Sequence, residues 1–166
     1  MSIKKKISFV RHAKSSWTDP SLADIDRPLN ARGLRDRDLM SAKFKSLFSI
    51  PDLLISSPAK RAYSTATTFA KAFGYSTADI HVEKRLYHAD IDDFESVILE
   101  QDNTLHSLMI FSHNPGLTYL ANDYAANFID NVPTTGIFTL ESQVSNWLDF
   151  FKKSELIDFI YPKMYV

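Results

Sequence analysis

No cysteine occurs among the 166 residues of this chain, which removes disulfides, thiolate catalysis and cysteine-ligated metals together and suits a reducing cytosol. Neither charge sign predominates: 19 Lys and Arg stand against 20 Asp and Glu, a formal net charge of -1. No global field therefore favours nucleic acid or an anionic membrane surface. Long apolar runs are missing too. Lys4, Lys5 and Lys6 are followed only by Ile7, Ser8, Phe9 and Val10, a stretch too short for a signal-peptide core and broken by serine. No window approaches the ~20 apolar residues of a membrane span. There is no internal repeat of domain size and no low-complexity segment. These absences lead us to expect a soluble cytoplasmic protein, with no nucleic-acid or membrane partner, whose substrates are recognised at local sites.

What the chain has is an ordinary globular composition, 45% hydrophobic and 23% charged, over a length that one core can organise. Residues 1–166 read as a single domain. Strand and helix patterns alternate from end to end, which favours a layered α/β domain over a bundle or a sandwich. The first strand covers residues 3–10. The loop over residues 14–29 is polar, rich in Asp and Pro, and longer than a simple strand-to-helix connection requires, as functional loops often are. Asn30 reads as the cap of the next helix, with Leu29 and Leu34 at staple positions and Met40, Phe44, Leu47 and Phe48 as its apolar stripe.

Leu53, Leu54 and Ile55 make a short buried strand, and Ser57-Pro58 reads as the cap and first position of a helix that ends at Gly74. A third strand is expected over residues 80–83. Asp90 caps a helix with Ile91, Phe94 and Ile98 on one face, and residues 108–111 form a fourth strand. Asn114-Pro115 then repeats the turn seen at Ser57-Pro58. Residues 137–140 and 147–151 read as further strands, with 157–161 extending or pairing at the sheet edge.

Arg11 and His12 close the first strand. In an open parallel sheet the strand ends and the starts of the following helices gather along one edge, where backbone amides and helix dipoles attract anions. Arg61, near the start of its helix, and His113, directly after the fourth strand, belong to the same edge. Two guanidinium forks and two imidazoles around one crevice suit a tetrahedral dianion. Arginines bind phosphate oxygens bidentately and stay charged at every working pH, while a neutral imidazole can attack phosphorus. Arg27, just before Pro28, is a third phosphate ligand by position, with pairing to Asp24 or Asp26 as the alternative. Trp17 is placed to wall the pocket, cover a protein substrate, or simply pack. His12 and His113 have no third ligand nearby in sequence, and the arginines would repel a divalent ion, so neither metal nor cofactor is expected.

Taken in order, these residues resemble the histidine phosphatase superfamily, which includes the Arg-His-Gly phosphatases and phosphoglycerate-mutase-like enzymes. The stretches that carry the likeness are Arg11-His12-Ala13-Lys14-Ser15-Ser16-Trp17, Asp26-Arg27-Pro28-Leu29-Asn30 with Arg32-Gly33, and Ser56-Ser57-Pro58-Ala59-Lys60-Arg61-Ala62 with Thr65-Ala66. His113-Asn114-Pro115-Gly116-Leu117 and Asn131-Val132-Pro133-Thr134 with Gly136 complete it. Ala13 stands where the family has Gly. Within the superfamily the chain looks most like the small phosphohistidine phosphatases of the SixA type. The resemblance implies a three-layer phosphoglycerate-mutase-like α/β fold with a mostly parallel sheet flanked by helices. It also implies catalysis by His12, Arg11, Arg61 and His113, with Arg11, Arg61, His113 and Arg27 binding phosphate. His12 would carry a phosphohistidine intermediate, and the partner would be a phosphohistidine-containing protein. A small-molecule phosphomonoesterase of the same superfamily and a non-catalytic phosphohistidine-binding module are the alternatives.

Larger members of that superfamily use a Glu or Asp as general acid, in mutases within the segment after the third strand. Here that segment is residues 83–90. Its one glutamate, Glu83, falls in the expected strand, and no acid is assigned; His88 could serve, with a structural or solvated loop histidine as the alternative. Such an acid matters most for an alkoxide leaving group and less for a phosphoramidate, whose P–N bond is labile. The sequence thus favours N-phosphohistidine over sugar phosphates.

Overall fold

Residues Lys4–Arg11 form strand β1 and bury Lys5, Ile7, Ser8, Phe9 and Val10, so both faces of the strand are covered, as in a central strand of a layered sheet. A computed structural model of the chain describes residues 3–166. Five more strands join β1: β2 (Leu53–Ser56), β3 (His81–Val82), β4 (Ser107–Ser112), β5 (Ile137–Gln143) and β6 (Glu155–Ile160), in the order β3-β2-β4-β1-β5-β6. The pairs β1/β4, β2/β4 and β2/β3 are parallel, while β5 and β6 add antiparallel to the other edge. The fold is the expected three-layer α/β arrangement.

Alternation along the central strands divides the core in two. Ile7 and Phe9 of β1 and Leu108 and Ile110 of β4 face helices α3 (Ile91–Leu99) and α4 (Gly116–Tyr124), whose Phe94, Ile98, Leu117 and Leu120 complete that layer. Val10, Met109 and Phe111 point the other way, against Met40 and Phe44 of α1 (Ala31–Leu47) and Phe69 and Ala70 of α2 (Lys60–Ala72). A one-residue slip in register would exchange the two sets, which fixes the pairing.

Several helix boundaries follow from their caps. Asn30 accepts from the Gly33 amide at 2.9 Å, and Asp90 forms a reciprocal capping box with Asp93, each satisfying amides that the first turn leaves unpaired. Gly74, at φ 82, ends α2.

Four expectations are corrected. Residues 147–151 are not a strand but part of a 3-10 helix, Trp147–Lys153. Asn146 caps it, and Trp147 and Phe150, three apart and both fully buried, face the same side. Helix α2 starts at Lys60 rather than at Pro58. Its cap position is Ala59, and the Ser57 hydroxyl, which accepts from the Ala59 amide at 3.2 Å, also lies 2.8 Å from His113 Nε2. Leu47 leaves the α1 stripe and lies 53% exposed, and Leu34 stays 44% exposed rather than closing a staple.

One close approach positions the segment before α3. A Cβ added at Gly116 would lie 2.0 Å from the Ala89 carbonyl oxygen and 3.2 Å from the Phe94 ring, so only glycine lets α4 start against residues 87–90. Gly116→Ala is expected to cost roughly 1–3 kcal/mol, since backbone must shift to admit the methyl. A urea midpoint equal to that of the unsubstituted protein would contradict this packing.

Candidate active site

Parallel pairing sets Arg11 of β1 level with Ser112 of β4, so the next residues, His12 and His113, leave the sheet side by side. Their ring centroids are 5.1 Å apart. The His12 amide still reaches the Ser112 carbonyl at 3.1 Å, which extends the strand register into the site. The neighbouring strand β2 delivers Ser57 beside His113, Oγ to Nε2 2.8 Å. Arg61, at the second position of α2, is 3% exposed. Arg11, His12, Arg27, Arg61 and His113 line one cavity of about 260 Å³, with Lys14, Ser15, Trp17, Asp24, His88, Asn114 and Thr134 completing its wall.

His12 is buried, with its Nδ1 2.8 Å from the Ala13 carbonyl oxygen. A carbonyl only accepts, so Nδ1 carries the hydrogen and Nε2 keeps its lone pair. Burial pushes the imidazole down to about 3, opposed by the Ala13 hydrogen bond and reinforced by Arg61, Arg11 and Arg27. His113 is also pushed well below the ordinary imidazole range, by burial first and then by His12 and Arg61. The Ala13 amide donates to Thr65 Oγ1 at 2.9 Å, which in turn donates to the Arg61 carbonyl at 2.8 Å. That chain ties the turn after β1 to α2. From β5's side, the Thr135 amide donates to the carbonyls of Arg11 at 3.0 Å and His12 at 3.2 Å. Thr135 holds φ 59, a conformation costly for a β-branched residue.

Asp24 organises the arginines. Its Oδ2 accepts from Arg61 at 3.0 Å and from the Tyr87 hydroxyl at 2.6 Å, its Oδ1 accepts from Arg27 Nε at 3.1 Å, and its backbone carbonyl takes a second Arg61 bond at 2.7 Å. The Tyr87 hydrogen bond, with those of Arg61 and Arg27, holds this carboxylate well below the usual range against the opposing effect of desolvation. Arg27 is 7% exposed, donates to Ser15 Oγ at 2.8 Å and to the Ser16 carbonyl at 3.2 Å, and lies 3.5 Å from the Trp17 ring centroid. Arg11 donates to the Val132 carbonyl at 2.9 Å, and its buried Nε has no protein partner.

All five sequence-selected residues, Arg11, His12, Arg27, Arg61 and His113, thus meet in this cavity, and His88 lies on its wall. Arg27 satisfies both readings at once, since it pairs with Asp24 and lines the pocket. Glu83 does not reach it. Arg85 takes both its oxygens, at 3.1 and 3.0 Å, at the cap of the 3-10 turn Lys84–Leu86. Sequence reasoning gave Asp24 only as an ion-pair partner and did not find Tyr87. The two are 63 residues apart, and no spacing rule links them. A larger cavity of about 750 Å³, lined among others by Phe128, Phe159, Tyr161 and Lys163, shares only Thr134 with the first. It holds none of the imidazoles.

An arginine-lined pocket with neutral imidazoles at the parallel-strand ends of a three-layer α/β sheet has the chemistry to hold an anion such as phosphate. Residues 7–117 match the family model of the histidine phosphatase superfamily, branch 1, and the chain belongs to that superfamily. An uncharacterised chloroplastic protein of Arabidopsis thaliana is 29% identical over 161 residues, covering 92% of this chain and 73% of that protein. One from Mycobacterium leprae is 28% identical over 167 residues, covering 93% and 100%. Among solved structures, one from Agrobacterium tumefaciens described as a phosphohistidine phosphatase SixA is 27% identical, with a TM-score of 0.79 over 95% of this chain and 98% of that one. The protein histidine phosphatase SixA complexed with tungstate, at 17% identity and a TM-score of 0.81 over 97% and 99%, shares the fold. No helix among the described residues is long and apolar enough to cross a membrane.

Acid should act on this site in one direction. The folded chain keeps His12 neutral far below the ordinary imidazole value of 6.5, while the unfolded chain takes up the proton below that value. The stability that depends on a neutral His12 is therefore complete above 6.5 and is lost as pH falls from there toward about 3. Imidazole NMR shifts assigned to His12 are expected to stay at neutral-ring values from about pH 7 to about pH 5. A midpoint near 6.5 would show that the ring is solvated.

Proposed function

We propose that the protein is a phosphatase that forms a phosphohistidine on His12 and acts on phosphohistidine in other proteins. The observation that carries this reading is the free Nε2 lone pair of a buried, neutral His12 within a cavity walled by Arg11, Arg27 and Arg61. In the first transfer, Nε2 forms a bond to phosphorus as the bond to the leaving group breaks. In the second, water attacks phosphorus and the electron pair returns to Nε2. One hard displacement becomes two easier ones. Arg11 and Arg61, with Arg27, offset charge on the equatorial oxygens, and the burial that keeps His12 neutral also strengthens those interactions.

His113 adds a neutral donor. Ser57 Oγ accepts from the Ala59 amide at 3.2 Å and lies 2.8 Å from His113 Nε2. With the hydroxyl hydrogen given to Nε2, the ring hydrogen resides on Nδ1, which is buried with no protein partner and is the one offered to a phosphate oxygen. The arginines supply the positive charge that metal ions give other phosphoryl-transfer sites, so the reading needs no cation or cofactor. No group of three or more His, Asp or Glu among the described residues is arranged to hold a metal.

A protein substrate suits the small cavity. At about 260 Å³ it has room for a phosphoryl group on an imidazole, while Trp17, 73% exposed at its wall, presents an aromatic face to whatever carries that group. The likeness to the SixA structure from Agrobacterium tumefaciens agrees with this. The whole 1–166 chain acts as one domain in this reading, in the cytoplasm.

The test compares turnover of a phosphohistidine-containing protein with that of p-nitrophenyl phosphate and sugar phosphates. We expect preference for the phosphoprotein. His12→Ala should lower kcat by at least about 10³-fold yet still bind phosphate through the arginines, and Arg61→Ala should lower it roughly 10²–10³-fold. A preference for sugar phosphates would favour a small-molecule phosphomonoesterase. Absence of turnover on all three would leave a phosphate-binding module.

A further inference from the structure

We propose that His88 is the general acid and base of this site, giving a proton to the departing group in the first transfer and taking one from water in the second. This rests on His12 as the nucleophile. Four features of the structure converge on it.

The first is its backbone. His88 holds φ 54, in the left-handed region that residues with a Cβ enter at a cost and that structures retain chiefly where the surroundings enforce it. Here the surroundings do. Its ring packs on Tyr87, centroids 4.0 Å apart. Tyr87 is tied to Asp24 by its hydroxyl and to the Lys84 carbonyl by its amide, and on the other side Ala89 is fixed against Gly116.

The second is its place around the cavity. The His113 ring stands 5.1 Å from His12 and 5.8 Å from His88. A phosphoryl group hydrogen-bonded to His113 therefore has both the nucleophile and the His88 ring close by. In-line displacement needs a proton donor within reach of the leaving group, which departs opposite the attacking atom.

The third is access. The His88 side chain is 60% exposed and lines the cavity, so it stands at the mouth through which a leaving group attached to a larger molecule must point. Its Nε2 lies 3.6 Å from Asp24 Oδ2, the oxygen that Arg61 and Tyr87 also share. That turns Nε2 toward the carboxylate that holds Arg61.

The fourth is elimination among the residues of the wall. Asp24 is held as a carboxylate by its three donors and has no proton to give. Tyr87 spends its hydroxyl hydrogen on Asp24. His12 needs its lone pair for phosphorus, and Glu83 faces Arg85. Arginine and lysine release protons too reluctantly. An imidazole is the side chain able both to give and to take a proton near neutral pH.

The proton balance closes. In the first step the P–N bond to His12 forms, the bond to the leaving atom breaks with its electron pair, and His88 Nε2–H supplies that atom's proton. In the second step water attacks phosphorus, its proton passes to His88, and the P–N bond returns its pair to His12. Net hydrolysis restores both rings.

The test is the dependence of kcat/KM, which reports the first transfer, on leaving-group basicity across aryl phosphates from p-nitrophenyl to phenyl phosphate. For His88→Gln we expect a loss of about 10² on phenyl phosphate and less than about 3-fold on p-nitrophenyl phosphate, whose anion departs unaided. His88→Gly should show the same pattern with a urea midpoint at or above that of the unsubstituted protein, because glycine relieves the positive φ. Parallel losses across the series would make His88 a positioning residue, no loss would make it a bystander, and a lowered midpoint in His88→Gly would make it a packing residue. Each overturns the proposal. Retention of turnover in His12→Ala would instead overturn the phosphohistidine reading, so the two failures are distinguishable.

Discussion

The parallel pairing of β1 with β4 is the constraint on which the rest depends. It sets Arg11 level with Ser112, so that two imidazoles from positions 101 residues apart in the chain leave the sheet together. Both strands are buried on both faces, and their alternating side chains feed two different cores. A slip by one residue would place Phe9 and Ile110 on the wrong sides of the sheet. The packing that makes the fold unique is therefore also what holds His12 and His113 within 5.1 Å of each other.

Onto that frame the site adds charge in a particular distribution. Three guanidinium groups border the cavity, yet both central imidazoles are held neutral. Burial is the larger cause and the arginines reinforce it. An imidazolium is costly there, a lone pair is retained, and positive charge is confined to groups that cannot lose it. Asp24 balances the cluster from within, accepting one charge-assisted hydrogen bond on its carboxylate from each of Arg61 and Arg27. The backbone departs from common conformations at His88 and Thr135, both beside this cluster. Strain collects where chemistry is arranged, as it does in many enzymes.

How far the sequence could be read varied with the range of the interactions involved. Asn30 and Asp90 announce their helices because a cap acts over three residues, and the short unbroken apolar run Leu108-Met109-Ile110-Phe111 announces a strand buried on both faces. Trp147–Lys153 misleads, since four aromatic or aliphatic residues among five look like a strand until Asn146 and the burial of Trp147 and Phe150 bend them into a turn. Ser57 misleads in a related way. A serine before proline reads as a cap, but His113, 56 residues away, engages its hydroxyl.

By itself the sequence determined the layered α/β class and most of the element order, and it singled out Arg11, His12, Arg61 and His113 because each sits at a strand end or helix start that local pattern defines, with Arg27 marked by its place before Pro28. Only the tertiary structure decided that Asp24 is the hub of the arginines, that Tyr87 buttresses it, that Glu83 is turned away and that His88 stands at the mouth. Those facts depend on where loops of different origin meet, and a loop's path is set by contacts between residues far apart in the chain rather than by any periodicity along it.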